Sequence, residues 1–238
     1  MSKLFVWKHC YKPLKNVGIE PISRLFSGVG LFETLRIKNE VPLFTELHQQ
    51  RMENSIKKIF GMDLSLEKQY SQLYKVSRGF DLGYAKVVFI PYKHGIKFDI
   101  FCLCGQWPYS RDILQKGLCV RISEFRKNPL GFSSGAKPIS YFDNVILREF
   151  GEKEGFDEIV LLDLHGYLAE GTRSNIFFVK DKKIFTPSLT CGILSGITRS
   201  QVISIVKNNG MQLEEGTYYP ELILDADEVF FTSSLLGV

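Results

Sequence analysis

The sequence is short of what a membrane anchor, a disulfide scaffold or a nucleic-acid-binding tail would need. No stretch approaches the ~20 uninterrupted apolar residues of a membrane helix. The opening run from Met1 to Lys8 has no long apolar segment ending in small residues, so no secretory signal is expected and the expected location is the cytoplasm. Cysteine is scarce. Cys10, Cys102, Cys104, Cys119 and Cys191 are odd in number and scattered, which argues against a disulfide framework and for buried thiols. Cys102 and Cys104 would share one face of a strand, but no His or further Cys lies near them in sequence, so no metal is expected. Neither charge sign dominates. The net charge is +4 with basic and acidic residues interleaved, which gives no reason to expect nucleic acid and suits a small anionic ligand.

What is present is an ordinary globular composition. The 238 residues are 45% apolar and 24% charged, enough for a substantial core, and 19 Phe with 10 Tyr suggest well-packed sheets and pockets. Strand and helix patterns alternate through the first hundred residues. Strands are expected at 3–7, 30–37, 85–91 and 97–103, and helices at 46–60 and 66–77. In the first helix Thr45 is a good N-cap, Leu47, Met52, Ile56, Ile59 and Phe60 form the apolar stripe, and His48, Arg51 and Ser55 fall on another face. The pattern loosens after Gly105, which places a domain boundary near residue 108 and divides the chain into 1–108 and 109–238. The second half reads as a Gly-, Ser- and Pro-rich passage from Phe125 to Pro138, a helix at 141–153, strands at 158–163, 167–170, 175–180 and 184–186, a helix at 198–209 stopped by Gly210, and a strand at 228–232.

Three local features could carry chemistry. Ser195 to Thr198 is a small-residue turn opening onto a helix, where backbone amides and the helix dipole could receive a phosphate; equally, Thr198 could simply cap the helix. Arg51, one helical turn from His48, has the planar donor set that phosphate oxygens prefer, or is a solvated helix arginine. Lys137 leaves the turn Ser133-Ser134-Gly135-Ala136 just before a helix with aromatic neighbours. Partial desolvation there would favour the neutral amine that attacks an aldehyde, although spacing alone does not separate Lys137 from a surface lysine.

The order of motifs goes further. Lys137 to Tyr141 (KPISY), then Gly155 to Gly166 (GFDEIVLLDLHG), Glu170 to Asn175 (EGTRSN), Thr186-Pro187 and Gly192 to Arg199 (GILSGITR) resemble the class-IV aminotransferase signature in order and spacing. Gly28 to Arg36 (GVGLFETLR) and His48 to Met52 (HQQRM) look like the same family's opening motifs. The resemblance implies an α/β chain of two domains with the D-amino-acid-aminotransferase-like fold (fold type IV), pyridoxal 5′-phosphate in the cleft between them, and a homodimer. It further implies that Lys137 forms the internal aldimine and later moves the substrate α-proton. Glu170 would face the pyridine nitrogen. Arg51, the amides of Ile197 and Thr198, and the turn Thr232-Ser233-Ser234 would hold the phosphate.

Two departures bear on substrate. Ile22-Ser23-Arg24 stands where many relatives have an Asp, and the strand around Lys86 is followed by Pro91-Tyr92 where relatives often carry a carboxylate-gripping arginine. Phe32, Arg36, Lys86, Tyr92, Lys93 and His94 are the candidates to take over substrate binding. Thr34, Lys86-Val87-Val88 and the segment from Ser233 to Gly237 resemble the 4-amino-4-deoxychorismate lyases, in which Thr34 would help to manage a proton while aromatisation drives release of p-aminobenzoate and pyruvate. A branched-chain or D-amino-acid aminotransferase would use the same Lys137, Glu170 and Arg51. A non-catalytic nucleotide- or anion-binding protein is the third reading, but Gly28-Val29-Gly30 lacks the third glycine of a dinucleotide fingerprint and the ending of a phosphate loop.

Overall fold

The structure is a computed structural model that describes residues 3–7, 11–12, 19–92, 97–109 and 116–238. The chain forms two compact units: Met1–Ser110 with Lys137–Ser140 make up one, and Arg111–Ala136 with Tyr141–Val238 make up the other. A single boundary near residue 108 would put Lys137 in the second half, whereas its backbone belongs to the first unit.

The first unit is built on one antiparallel sheet. Strands β1 (Lys3–Trp7), β2 (Tyr11–Lys12), β3 (Leu31–Lys38), β4 (Val41–Pro42), β5 (Leu82–Tyr92) and β6 (Lys97–Gln106) lie in the order β2-β1-β6-β5-β3-β4. Alternation sorts the faces. Leu31, Leu35 and Ile37 of β3, Ala85, Val87 and Phe89 of β5, and Cys102 and Cys104 of β6 are at most 1% exposed. They form a core with Met52 and Ile56 of helix α2 (Thr45–Phe60), and with Tyr70 and Leu73 of the short helices α3 (Glu67–Ser71) and α4 (Leu73–Val76). Each such aliphatic side chain contributes about 1.5–3 kcal/mol of burial. A further helix, α1 (Ile19–Phe26), precedes β3.

In the second unit β7 (Val120–Lys127), β8 (Glu158–Asp163) and β9 (Leu168–Gly171) form one sheet. Strands β10 (Asn175–Lys180), β11 (Lys183–Pro187), β12 (Leu213–Gly216) and β13 (Glu228–Thr232) form another, in the order β12-β11-β10-β13. Helix α5 (Phe142–Lys153) links β7 to β8, which run parallel, and α6 (Ile197–Asn208) lies between the parallel β11 and β12. A short helix α7 (Glu221–Leu224) precedes β13. Strand β10 is apolar on both faces because both are covered: Ile176 and Phe178 pack with Val160, Leu162, Leu168 and Tyr218, while Phe177 packs with Ile184 and Val206.

Several sequence expectations need correction. Thr45 is the first helical residue of α2, not its cap; Phe44, in the left-handed region, is the N-cap, and Thr45 Oγ1 donates to the Pro42 carbonyl at 3.0 Å. His48 lies on the buried stripe with Met52 and Ile56, as four-residue spacing dictates once a buried acceptor is available to it. The helix expected at 66–77 is two short pieces. Helix α6 is capped by Gly196 rather than Thr198. Strand β7 extends through Phe125, held by its pairing with β8. Cys102, Cys104 and Cys191 are buried, but Cys119 is exposed and Cys10 lies outside the described residues.

Candidate active site

Lys137 is held by strand-like pairing rather than by the helix it precedes. Phe32 N donates to the Lys137 carbonyl at 2.9 Å, Ile139 N donates to the Gly30 carbonyl at 3.0 Å, and Pro138 bridges Leu31. Gly30 permits this close approach, since a Cβ there would lie 2.4 Å from the Phe89 carbonyl oxygen and 3.1 Å from Ile139. The Lys137 ammonium sits 4.5 Å from the centre of the Phe32 ring, and Lys86 Nζ sits 4.8 Å from the same ring. In register, Phe32 faces Val88, Thr34 faces Lys86 and Arg36 faces Tyr84. Directly paired residues point to the same side, so Phe32, Thr34, Arg36 and Lys86 share the face of the sheet opposite the core. Arg36 lies over the Trp107 ring at 4.5 Å, with its Nε buried and making no hydrogen bond. Tyr92 is nearly buried near the end of β5, with Asp99 Oδ1 3.5 Å from its hydroxyl; burial, then Asp99, push that hydroxyl's pKa upward. Lys93 and His94 lie outside the described residues.

On the core side of β3 stands Glu33, only 2% exposed. Arg51 grips it with both edges of a fork, Nε to Oε1 at 2.8 Å and Nη2 to Oε2 at 2.5 Å, and His48 Nδ1 lies 2.7 Å from Oε2. Burial pushes the Glu33 carboxyl upward, but the Arg51 and His48 interactions outweigh it and bring its pKa down to about 2. His48 moves downward because burial, joined by Arg51 and Lys137, outweighs its bond to Glu33. A neutral imidazole facing a carboxylate carries its proton on Nδ1, so Nδ1–H donates to Glu33 and Nε2 is the lone-pair nitrogen.

In the second unit Glu170 is 7% exposed at the end of β9. Its Oε1 pairs with Lys127 Nζ; its Oε2 accepts from the Leu194 amide at 2.9 Å and from Asn175 Nδ2 at 3.3 Å. Asn175 also donates to the Leu194 carbonyl at 3.0 Å. A Cβ on Gly196 would come within 2.0 Å of Asn175 Oδ1, so only glycine lets the α6 entry pass this side chain. No side chain caps the N-terminus of α6, where the backbone N–H groups of Ile197 and Thr198 begin the helix. Behind Glu170, Glu158 is 2% exposed and accepts from Thr172 N at 2.9 Å, Thr172 Oγ1 at 2.6 Å and Ser174 Oγ at 2.7 Å, which ties down the turn after β9.

The expected hydroxyl turn is arranged differently from a simple phosphate cup. Ser233 Oγ accepts from Leu236 N at 3.0 Å and so serves the turn itself, while Thr232 Oγ1 is buried with no hydrogen-bond partner. Thr232 and Ser233 line a cavity of about 670 Å³ between the sheet edges β7 and β13, along with Val120, Ile122, Phe231 and Leu236. Glu170, Lys127 and the start of α6 are not in its wall, so polar chemistry in this unit is better located by the Glu170 cluster than by this apolar hollow.

Sequence reasoning left Glu33, His48, Glu158, Asn175 and Lys127 without roles. Two of them were visible. Glu33 interrupts Leu31, Leu35 and Ile37 on the core face of β3, and Glu158 opens a strand whose six residues are all buried; an acid in such a position must be paired. No sequence signal marks Lys127.

Comparison with known proteins shows the family. The family model for class IV amino-transferases matches residues 30–238. Aminodeoxychorismate lyase of Bacillus subtilis is 31% identical over 96% of this chain and 82% of its own length. A Thermotoga maritima protein named "Probable branched-chain-amino-acid aminotransferase" is also 31% identical, over 88% of this chain and 75% of its own. The crystal structure of the branched-chain amino acid aminotransferase of Escherichia coli superposes with a TM-score of 0.84 at 24% identity, covering 97% of this chain and 83% of that one. The chain belongs to the class IV amino-transferase family and has the mixed α/β fold of fold-type-IV enzymes. It is an enzyme, and the cofactor of its family is pyridoxal 5′-phosphate. The residues present suit that group: a lysine beside an aromatic ring, a buried carboxylate with polar donors, and a helix N-terminus that no side chain caps.

Proposed function

We propose that this chain is a pyridoxal-phosphate lyase that splits 4-amino-4-deoxychorismate into p-aminobenzoate and pyruvate, a step toward folate precursors. The observation that carries the reading is the outer face of β3 and β5, where Thr34 stands opposite Lys86 and two ammonium groups, of Lys86 and Lys137, lie against the ring of Phe32. The substrate carries one carboxylate on a ring about to become aromatic and a second on the side chain that leaves as pyruvate. Lys86 and Arg36 are cations of this face that can meet them, and Phe32 offers an apolar surface to the ring.

When bound, the cofactor withdraws electrons from the carbon that loses its proton. Lys137 would anchor it and take that proton; Thr34 would supply one to the departing enol oxygen; Glu170 would face the ring nitrogen. Arg51 and the amides of Ile197 and Thr198 would hold the phosphate, with Ser233 and Ser234 as further donors to it, and Tyr92 would contribute to substrate binding. The reading includes a cytoplasmic homodimer.

Two measurements test it. A visible absorption band on adding pyridoxal phosphate, lost in Lys137→Ala, is expected; no band in the wild type would sink the cofactor assignment. With the loaded enzyme, p-aminobenzoate and pyruvate should form one to one without any keto acid, and Thr34→Ala should slow this by roughly 10²-fold or more. Turnover that demands a keto acid and leaves Thr34→Ala unaffected would instead establish an aminotransferase.

A further inference from the structure

Both sheet ladders around β8 lose their regular pairing at the same place. Against β7, the pairs Ile122–Val160 and Arg126–Leu162 are separated by four residues of β7 but two of β8. Against β9, the pairs Val160–Gly171 and Leu162–Leu168 are separated by three residues of β9 against the same two of β8. Irregularities of this kind re-aim side chains. Here Lys127 is displaced on one side of β8 and Glu170 on the other, and the two side chains form an ion pair. The pair is largely desolvated, with the Lys127 side chain 25% and the Glu170 side chain 9% exposed, so water and salt screen it weakly. Meanwhile Leu194 N and Asn175 fix the second oxygen of Glu170.

We propose that Lys127 is a positioning and charge-balancing residue of the cofactor site, which shares the Glu170 carboxylate with the ring nitrogen and thereby weakens the nitrogen's hold on its proton. The inference rests on the reading that Glu170 faces the ring nitrogen. Two cations then compete for one carboxylate, and a fixed ammonium beside it disfavours the second positive charge. The electron-withdrawing power of the bound cofactor is thus set by an ion pair already present in the protein rather than by the glutamate alone.

The test is the ¹⁵N signal of pyridoxal phosphate labelled at the ring nitrogen, followed against pH in wild type, Lys127→Met, Lys127→Arg and Glu170→Gln. In Lys127→Met the ring nitrogen should keep its proton to a pH about one unit or more higher than in wild type, while Lys127→Arg should follow wild type. Should Lys127→Met not load with cofactor, Lys127→Gln gives the same comparison. A titration in these neutral variants that coincides with wild type, or falls below it, overturns the role of Lys127. Glu170→Gln separates the two claims: a ring signal unchanged from wild type removes Glu170 from the nitrogen and the premise with it, whereas loss of the protonated signal upholds the premise whatever Lys127 does.

Discussion

Two buried glutamates, one in each unit, show different ways of keeping a negative charge inside a protein. Glu33 is closed by a single element: His48 and Arg51 both project from α2, one helical turn apart, and meet both of its oxygens. Glu170 is held by three separate segments, the end of β7, the start of β10 and the loop at Leu194, and only one of its three partners is charged. The first carboxylate is therefore a docking device for a helix. The second is held in place by several weaker restraints, as suits the ligand-facing role proposed for it.

The largest effect expected from this contrast is on stability. Glu33→Ala removes the buried carboxylate that both Arg51, 12% exposed, and His48 meet, and should cost about 3–5 kcal/mol in denaturant unfolding. Glu170→Ala should cost clearly less, because Lys127 is a quarter exposed and can regain water. Equal losses would erase the distinction.

Acid should probe the Glu33 cluster next. The Glu33 carboxyl falls from 4.5 to about 2 on folding, so its contribution, about 3 kcal/mol, is fully present above pH 4.5 and is lost as pH drops toward 2. His48 is also shifted downward, from 6.5, which means the unfolded chain takes up its proton first and stability already declines as pH falls through 6.5. In urea titrations from pH 7 to 3, His48→Gln should flatten the slope between pH 7 and 5 and leave the steeper loss below 4.5 in place. A mutant with an unaltered profile above pH 5 would rule out this account of His48.

A smaller effect sharpens the other side of the comparison. Gly196→Ala forces Asn175 away from Glu170 and should cost about 1–3 kcal/mol. It should also weaken cofactor retention measured by dialysis, while Gly210→Ala, at the far end of the same helix with no atom near its Cβ, should not.

Much of this was legible in the sequence wherever one periodicity ruled. Strands 3–7, 158–163, 175–180 and 228–232 fall where expected because their apolar patterns are unbroken. Errors arose where a tertiary partner overrode the local rule. His48 reads as a polar-face residue until Glu33, fifteen positions earlier, supplies an acceptor, and Thr45 reads as a cap until Phe44 takes the left-handed conformation that starts the helix. At the candidate site the proposed roles of Lys137, Glu170 and Arg51 rest on the order of motifs. That order could not indicate Lys127, whose aim depends on where two ladders slip against β8, a property of pairing that no stretch of one chain displays.

The path of the chain near Lys137 limits how this protein can be taken apart. The first unit takes residues 1–110 and then only four more, Lys137–Ser140; all the rest of the chain belongs to the second. A fragment starting at Arg111 would contain the lysine but not Gly30 and Phe32, whose backbone groups hold it in register. Cutting the polypeptide between its units therefore strands Lys137 in the half that lacks its seat, and any attempt to split the gene, swap one half for a relative's, or permute the termini has to carry those four residues together with the β3 strand.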